Sequence, residues 1–179
     1  MAARCRCSVI MAGMPSCEPQ LSIVAPRLGE GRVSVLAVRL SAYAHSTIRR
    51  LAEAAHPHEG CGVLIGSCEG DAVLVQEATS ARNLWAERLA DRYDMDPADI
   101  QAADRSARAR GLDTVGFWHS HPDHPAHPSR FDSDRSWAGY AYLIVNTVAG
   151  GSGDLNAFGR DDEAACLQPI PLQLEAGQP

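Results

Sequence analysis

Thr114-Val115-Gly116-Phe117-Trp118-His119-Ser120-His121-Pro122 is the stretch on which the reading of this chain turns, together with Ser129 and Asp132 downstream. Its first half is β-branched and aromatic and predicts a strand. Residues two apart in a strand point to the same face, so His119 and His121 can converge on one ion from one side. Pro122, Pro125 and Pro128 end the ladder and force a turn before Asp132. As a pattern the segment is H-x-H-P-x6-S-x2-D. Two imidazoles and a carboxylate are the ligand types of a catalytic zinc that keeps a fourth position open for water.

The same residues have plainer uses. Ser129-x-x-Asp132 fits a helix capping box, with Ser129 as N-cap and Asp132 at the third helical position. That role is compatible with ligation, because a carboxylate in the first turn can still face an ion. Lone H-x-H pairs are common on surfaces and in cores. Here four of the seven histidines (His119, His121, His124 and His127) fall in one segment, and the acid stands at a fitting offset. His124 and His127 occupy the proline-rich connector and are expected to be loop residues or substrate contacts, not ligands.

Upstream, Ala44, Ile48, Leu51, Ala52 and Ala55 form one apolar helical face. Ser41 is suited to cap that helix, and Pro57 forbids its continuation past His56. His58-Glu59-Gly60-Cys61-Gly62 then leads into the apolar run Val63 to Ile65, which predicts a buried strand. Glu59 therefore stands at the lip of a sheet. By itself it reads as a solvated loop acid. A catalytic zinc, however, needs a nearby general base, so the two stretches explain each other.

Glu59-x-Cys61-Gly62-x-Leu64-x-Gly66, followed by Gly116-x-x-His119-Ser120-His121-Pro122-x6-Ser129-x2-Asp132, resembles the JAMM (MPN+) zinc metalloproteases. The likeness is strongest to their compact stand-alone bacterial members and runs from about Val33 to Leu174. It implies that His119, His121 and Asp132 ligate one Zn2+ per chain. It implies further that Glu59 is the general acid/base and that Ser129 hydrogen-bonds the oxyanion. In chemical terms, Glu59 takes a proton from water and hands it to the leaving amine, while the Ser129 hydroxyl steadies the tetrahedral oxygen. The implied fold is α/β (α+β), a mixed β-sheet sandwiched by helices, of the cytidine-deaminase-like kind.

At 179 residues the chain suits one domain with a substantial core. A formal charge of −6 and the absence of arginine runs argue against a nucleic-acid partner. All sixteen basic residues are arginine, which excludes P-loop and Schiff-base chemistry, since both need a lysine amine. No apolar run is long enough to span a membrane. Residues 1–32 mix arginine, cysteine, proline and glycine without periodicity or a continuous apolar region. They are read as a disordered extension, with the metalloprotease domain over 33–175 and a short tail over 176–179. Cys5, Cys7, Cys17, Cys61, Cys68 and Cys166 show no zinc-finger or redox spacing, so reduced thiols in the cytoplasm are expected.

The remaining elements are read from local signals. Val33 to Leu40 is a first strand, followed by the Ser41 helix. Val63 to Ile65 and Ala72 to Glu77 form a hairpin turned at Cys68-Glu69-Gly70-Asp71. Asn83 to Arg92 is loop, with a short strand around Tyr93 to Met95. Asp96 caps a second helix with Pro97 at its first position and Gly111 past its end. Ala141 to Asn146 is a central strand. Gly150 to Gly153 turn into Leu155 to Phe158, and Leu167 to Leu174 closes the sheet.

Other hydrolase types fit less well. His119-x-His121-x-Asp123-His124 also spells a metallo-β-lactamase motif, but no histidine follows His127 to complete that ligand set. A cysteine hydrolase would use Cys61, which sits between glycines before a buried strand and reads as an inert thiol. A non-catalytic MPN-like scaffold would be expected to lack some of the five functional residues. A zinc hydrolase of another small amide is the remaining alternative. Resemblance to the compact bacterial members implies, as substrate and partner, a ubiquitin-like sulfur-carrier protein with a Gly-Gly C-terminus. Its tail would lie extended beside a sheet edge. The sequence leaves the oligomeric state open.

Overall fold

The computed structural model describes residues 35–85, 92–161 and 166–176. The extension expected over 1–32 and all but the first residue of the tail lie outside this range. Eleven elements follow in chain order: β1 (Ala37–Leu40), α1 (Ala42–Ala55), β2 (Cys61–Glu69), β3 (Ala72–Ala78), α2 (Pro97–Arg108), β4 (Asp113–Pro122), α3 (Arg130–Arg135), β5 (Ala141–Val148), β6 (Gly151–Gly159), β7 (Gln168–Ile170) and β8 (Leu172–Leu174). The strands form one mixed sheet in the order β7-β6-β5-β4-β2-β3-β1-β8. β4 and β5 run parallel through the α3 crossover, while β2–β3, β2–β4 and β5–β6 are antiparallel.

Both long helices start as their caps dictate. Ser41 Oγ accepts from the Ala44 N–H at 3.0 Å, and Asp96 Oδ1 accepts from the Ala98 N–H at 2.8 Å with Pro97 behind it. α1 buries Ala44, Ile48 and Ala52 against one face of the sheet, where Leu64, Val75, Trp118, Leu143 and Val145 meet them. α2 buries Ile100, Ala103 and Ala107 on the other face, against Val63, Ile65, Phe117 and Ile144. The alternation along β5, with Leu143 and Val145 on one side and Tyr142 and Ile144 on the other, makes this a helix–sheet–helix sandwich.

Several elements differ from the sequence reading. β2 spans Cys61–Glu69 and not only its apolar middle, because β3 and β4 pair with it along most of its length. Tyr93 to Met95 is no strand; Met95 makes a single bridge to Asn83. β6 begins at Gly151, so the turn lies one step earlier, at Gly150 with φ 89°. β1 begins at Ala37; Val35 and Leu36 precede it, with the Leu36 N–H donating to Asp71 O at 2.8 Å.

The expected closing strand Leu167 to Leu174 is two strands. Pro171 divides them, having no N–H to continue a ladder. β7 pairs with β6 at one edge of the sheet, and β8 pairs with β1 at the other. In a flat sheet, seven steps of about 4.8 Å would set these edges roughly 33 Å apart. Ile170 and Leu172, two steps along the chain, can be no more than about 7 Å apart. The sheet must therefore curl until its edges meet. Consistent with this, a Cβ on Gly159 of β6 would lie 2.7 Å from the carbonyl oxygen of Val35, just before β1.

Candidate metal centre and its cleft

β4 carries the pair of imidazoles, and its twist of register decides where they point. Leu64 pairs with Gly116 but Ile65 with Thr114, so Val115 is an extra residue in a β-bulge. Beyond the bulge Phe117, His119 and His121 share the α2 face of the sheet. His119 is 1% exposed, and its Nε2 lies 3.0 Å from His121 Nε2. His121 Nδ1 is 2.9 Å from the Pro125 carbonyl, a partner that can only accept. That contact places the ring proton on Nδ1 and leaves the Nε2 lone pair turned to its neighbour.

Asp132 reaches the same point from α3. Ser129 caps this helix in a complete capping box. Asp132 Oδ2 accepts from the Ser129 N–H at 2.6 Å and from the Ser129 hydroxyl at 2.7 Å. The second oxygen, Oδ1, faces His119 Nε2 at 3.5 Å, while Oδ2 is 3.7 Å from His121 Nε2. Ligand atoms about 2.1 Å from a tetrahedral ion are about 3.4 Å apart, so these three donors have the spacing of a metal site. His119, His121 and Asp132 form the one such group among the described residues.

The electrostatics agree. Burial lowers the His119 pKa to about 4, against a smaller opposing pull from Asp132, so this ring stays neutral. Burial also opposes charge on His121, but the nearby Asp132 carboxylate and the Pro125 carbonyl outweigh it and raise its pKa. For Asp132 burial opposes ionisation. His121, His119 and both Ser129 donors prevail and hold the carboxyl well below the usual range.

Glu59 joins from the segment that leads into β2. Cys61 pairs with His119, and the Ser120 N–H donates to the Gly60 carbonyl at 2.8 Å, so the next step of the register sets Glu59 opposite His121. The Ser120 hydroxyl, on the far face of β4, accepts from the Gly60 N–H at 2.8 Å and clamps this junction. Glu59 is 8% exposed. With Arg92, His121, His124, Pro125, His127, Ser129 and Asp132 it lines a cleft of about 410 Å³. All five residues singled out from the sequence thus meet at one place, with His124 and His127 on the wall.

Comparison with known proteins converges on one family. A model of the prokaryotic homologs of the JAB domain matches residues 41–160, more than half of the chain. The chain belongs to the prokaryotic JAB-domain family. A desampylase of Haloferax volcanii is 42% identical over 92 residues, which cover 50% of this chain and 63% of that protein. A solution structure from Desulfitobacterium hafniense superposes with a TM-score of 0.65 at 25% identity, covering 77% of this chain and 92% of the other. A second, from Salinibacter ruber, gives 0.57 at 34% identity, covering 73% and 86%.

In this JAB-domain protein the sequence reading gave no role to Tyr93 or Ser120, and quoted Gly62 only as part of a motif. Tyr93 stacks on His119, with ring centroids 4.5 Å apart and planes 26° from parallel; burial, then Asp132, keeps its phenol neutral. Ser120 was visible only as the spacer of H-x-H. Gly62 leaves room for Trp118, whose indole N–H donates to the Thr79 carbonyl at 2.8 Å behind the site. Loop aromatics and spacer residues carry no periodic signal; their roles depend on what lies opposite.

Proposed function

We propose that this JAB-domain protein is a zinc-dependent metallopeptidase of the JAMM type. It hydrolyses the amide or isopeptide bond that follows the Gly-Gly tail of a ubiquitin-like protein, with sulfur carriers as the substrate class. The observation that carries this reading is the convergence of His119, His121 and Asp132 on one face, with Glu59 beside them in the same cleft. Similarity to a desampylase supports a ubiquitin-like substrate.

His119, His121 and Asp132 would hold the ion; their mixed nitrogen and oxygen donors suit zinc and leave one position open. When bound, zinc supplies Lewis acidity and lowers the pKa of water to about 7. Glu59 accepts the proton of the attacking water and returns it to the leaving amine. The Ser129 hydroxyl turns from Asp132 Oδ2 to the developing oxyanion, while the Ser129 N–H keeps that carboxylate in line. Histidines wall the cleft, and a Gly-Gly tail would lie against its floor without a side chain to clash. The free thiols of Cys61, Cys68 and Cys166 fit a reducing cytoplasm.

The test is a sulfur carrier extended beyond its Gly-Gly, followed by mass spectrometry. Wild type should remove the extension, and Glu59→Gln, with its metal retained, should be slower by about 10² or more. Equal trimming by both would reject Glu59 as the base. A zinc-loaded wild type that cleaves no such carrier would discard the substrate class.

A further inference from the structure

We propose that Asn83 is a positioning residue for this site: its carboxamide builds the cleft wall and ties it to the segment bearing Glu59. Its catalytic consequence rests on the metallopeptidase reading; its structural part does not. Past β3 the chain continues beside β2, with the Thr79 N–H donating to Val63 O at 2.9 Å and the Ala81 N–H to Cys61 O at 2.8 Å. It then enters a narrow stem. The Leu84 N–H donates to Asp94 O at 2.8 Å, the Asp96 N–H to Arg82 O at 2.9 Å, and Asn83 bridges Met95.

The Asn83 side chain lies inside that stem. Oδ1 accepts from the Trp85 and Asp94 N–H groups, each at 3.0 Å. Nδ2 donates to Arg92 O at 3.0 Å and, at a longer 3.5 Å, to Glu59 O. A carboxamide has two lone pairs and two N–H donors, and all four are engaged. The opposite orientation would set its oxygen against two carbonyls, so the pattern admits one arrangement.

What the brace holds matters to the site. Tyr93 stacks on the ligand His119. Arg92 lines the cleft with Glu59. Asp94 pairs at 2.6 Å with Arg135 of α3, the helix that presents Asp132. One side chain therefore connects the base segment, a ring packed on a metal ligand, and the helix of the third ligand. It touches none of the reacting groups itself.

Asn83→Asp is the decisive variant, because it is isosteric and keeps both acceptors while turning two donors into an oxygen that faces carbonyls. Hydrogen–deuterium exchange over residues 92–96 should quicken by about tenfold or more. Turnover of the extended carrier should fall by about tenfold or more in kcat, with metal content unchanged. Asn83→Ala, which removes the brace without repulsion, should show both effects if the aspartate variant fails to fold. Unchanged exchange and kcat in both variants would overturn the proposal. So would a lowered Tm with wild-type kcat per folded molecule, since that is a structural role alone. A wild type inactive on every carrier would sink the function, and exchange alone would then decide the brace.

Discussion

Cys61 stands opposite His119 and two residues from Glu59, so at the residue scale it is the obvious rival nucleophile. Its environment rules it out. Burial first, then the Glu59 charge, pushes its thiol up to about 12, so almost no thiolate exists at neutral pH. Iodoacetamide on the native protein should label exposed Cys68 and Cys166, spare Cys61 and leave activity intact. Labelling of Cys61 in step with inactivation would revive the cysteine mechanism. The candidate metal ligands carry a second prediction. His119 is already neutral near pH 7, whereas His121 holds its proton to a higher pH than an ordinary imidazole. An incoming cation must displace that proton. Below the raised His121 value, apparent affinity should drop about tenfold per pH unit, with release of one proton per ion. Chelator competition across a pH series measures it; a flat profile would show that His121 is not a ligand.

At the element scale, the site depends on how closely β2 lies against its neighbours. A Cβ on Gly62 would fall 1.7 Å from Thr79 O and 2.5 Å from Trp118 Nε1. The first contact is backbone and cannot yield cheaply. Gly62→Ala should therefore cost about 3 kcal/mol or more in urea unfolding, well beyond an ordinary surface change. A loss under about 1 kcal/mol would mean that the strand shifts freely and that the spacing of Glu59 from His121 is not set here. The elements also show what local signals convey. Ser41, Asp96 and Ser129 cap the helices that their sequences announce, because a cap needs only its own first turn. The bulge at Val115 has no such signal. It arises from the mismatch between β2 and β4, and it is what turns His119 and His121 toward α2 instead of α1.

For the whole molecule, the feature with most leverage is the closure of the sheet across Pro171. β8 covers the edge of β1 through Val38 N–H to Pro171 O at 2.9 Å and Glu175 N–H to Leu40 O at 2.8 Å. Glu175 also takes the Arg39 guanidinium at 2.7 Å. Ending the chain after Ile170 should bare that edge, lower Tm by about 5 °C or more and promote self-association. An unchanged melting curve would show that the edges do not depend on one another.

The H-x-H-P-x6-S-x2-D spacing, the acid at the lip of β2 and the three helix caps follow from the sequence by itself, because each is a relation between residues near one another in the chain. They sufficed for the family, the sandwich and the five residues gathered at the candidate site, four of them lining the cleft and His119 buried behind them. The tertiary structure alone decided the rest: the face toward which β4 turns its histidines, the curl that brings β7 and β8 to opposite edges, and the partners of Tyr93, Ser120 and Asn83. These are contacts across long stretches of chain. Their energy depends on what a side chain meets after folding, and no local periodicity encodes that.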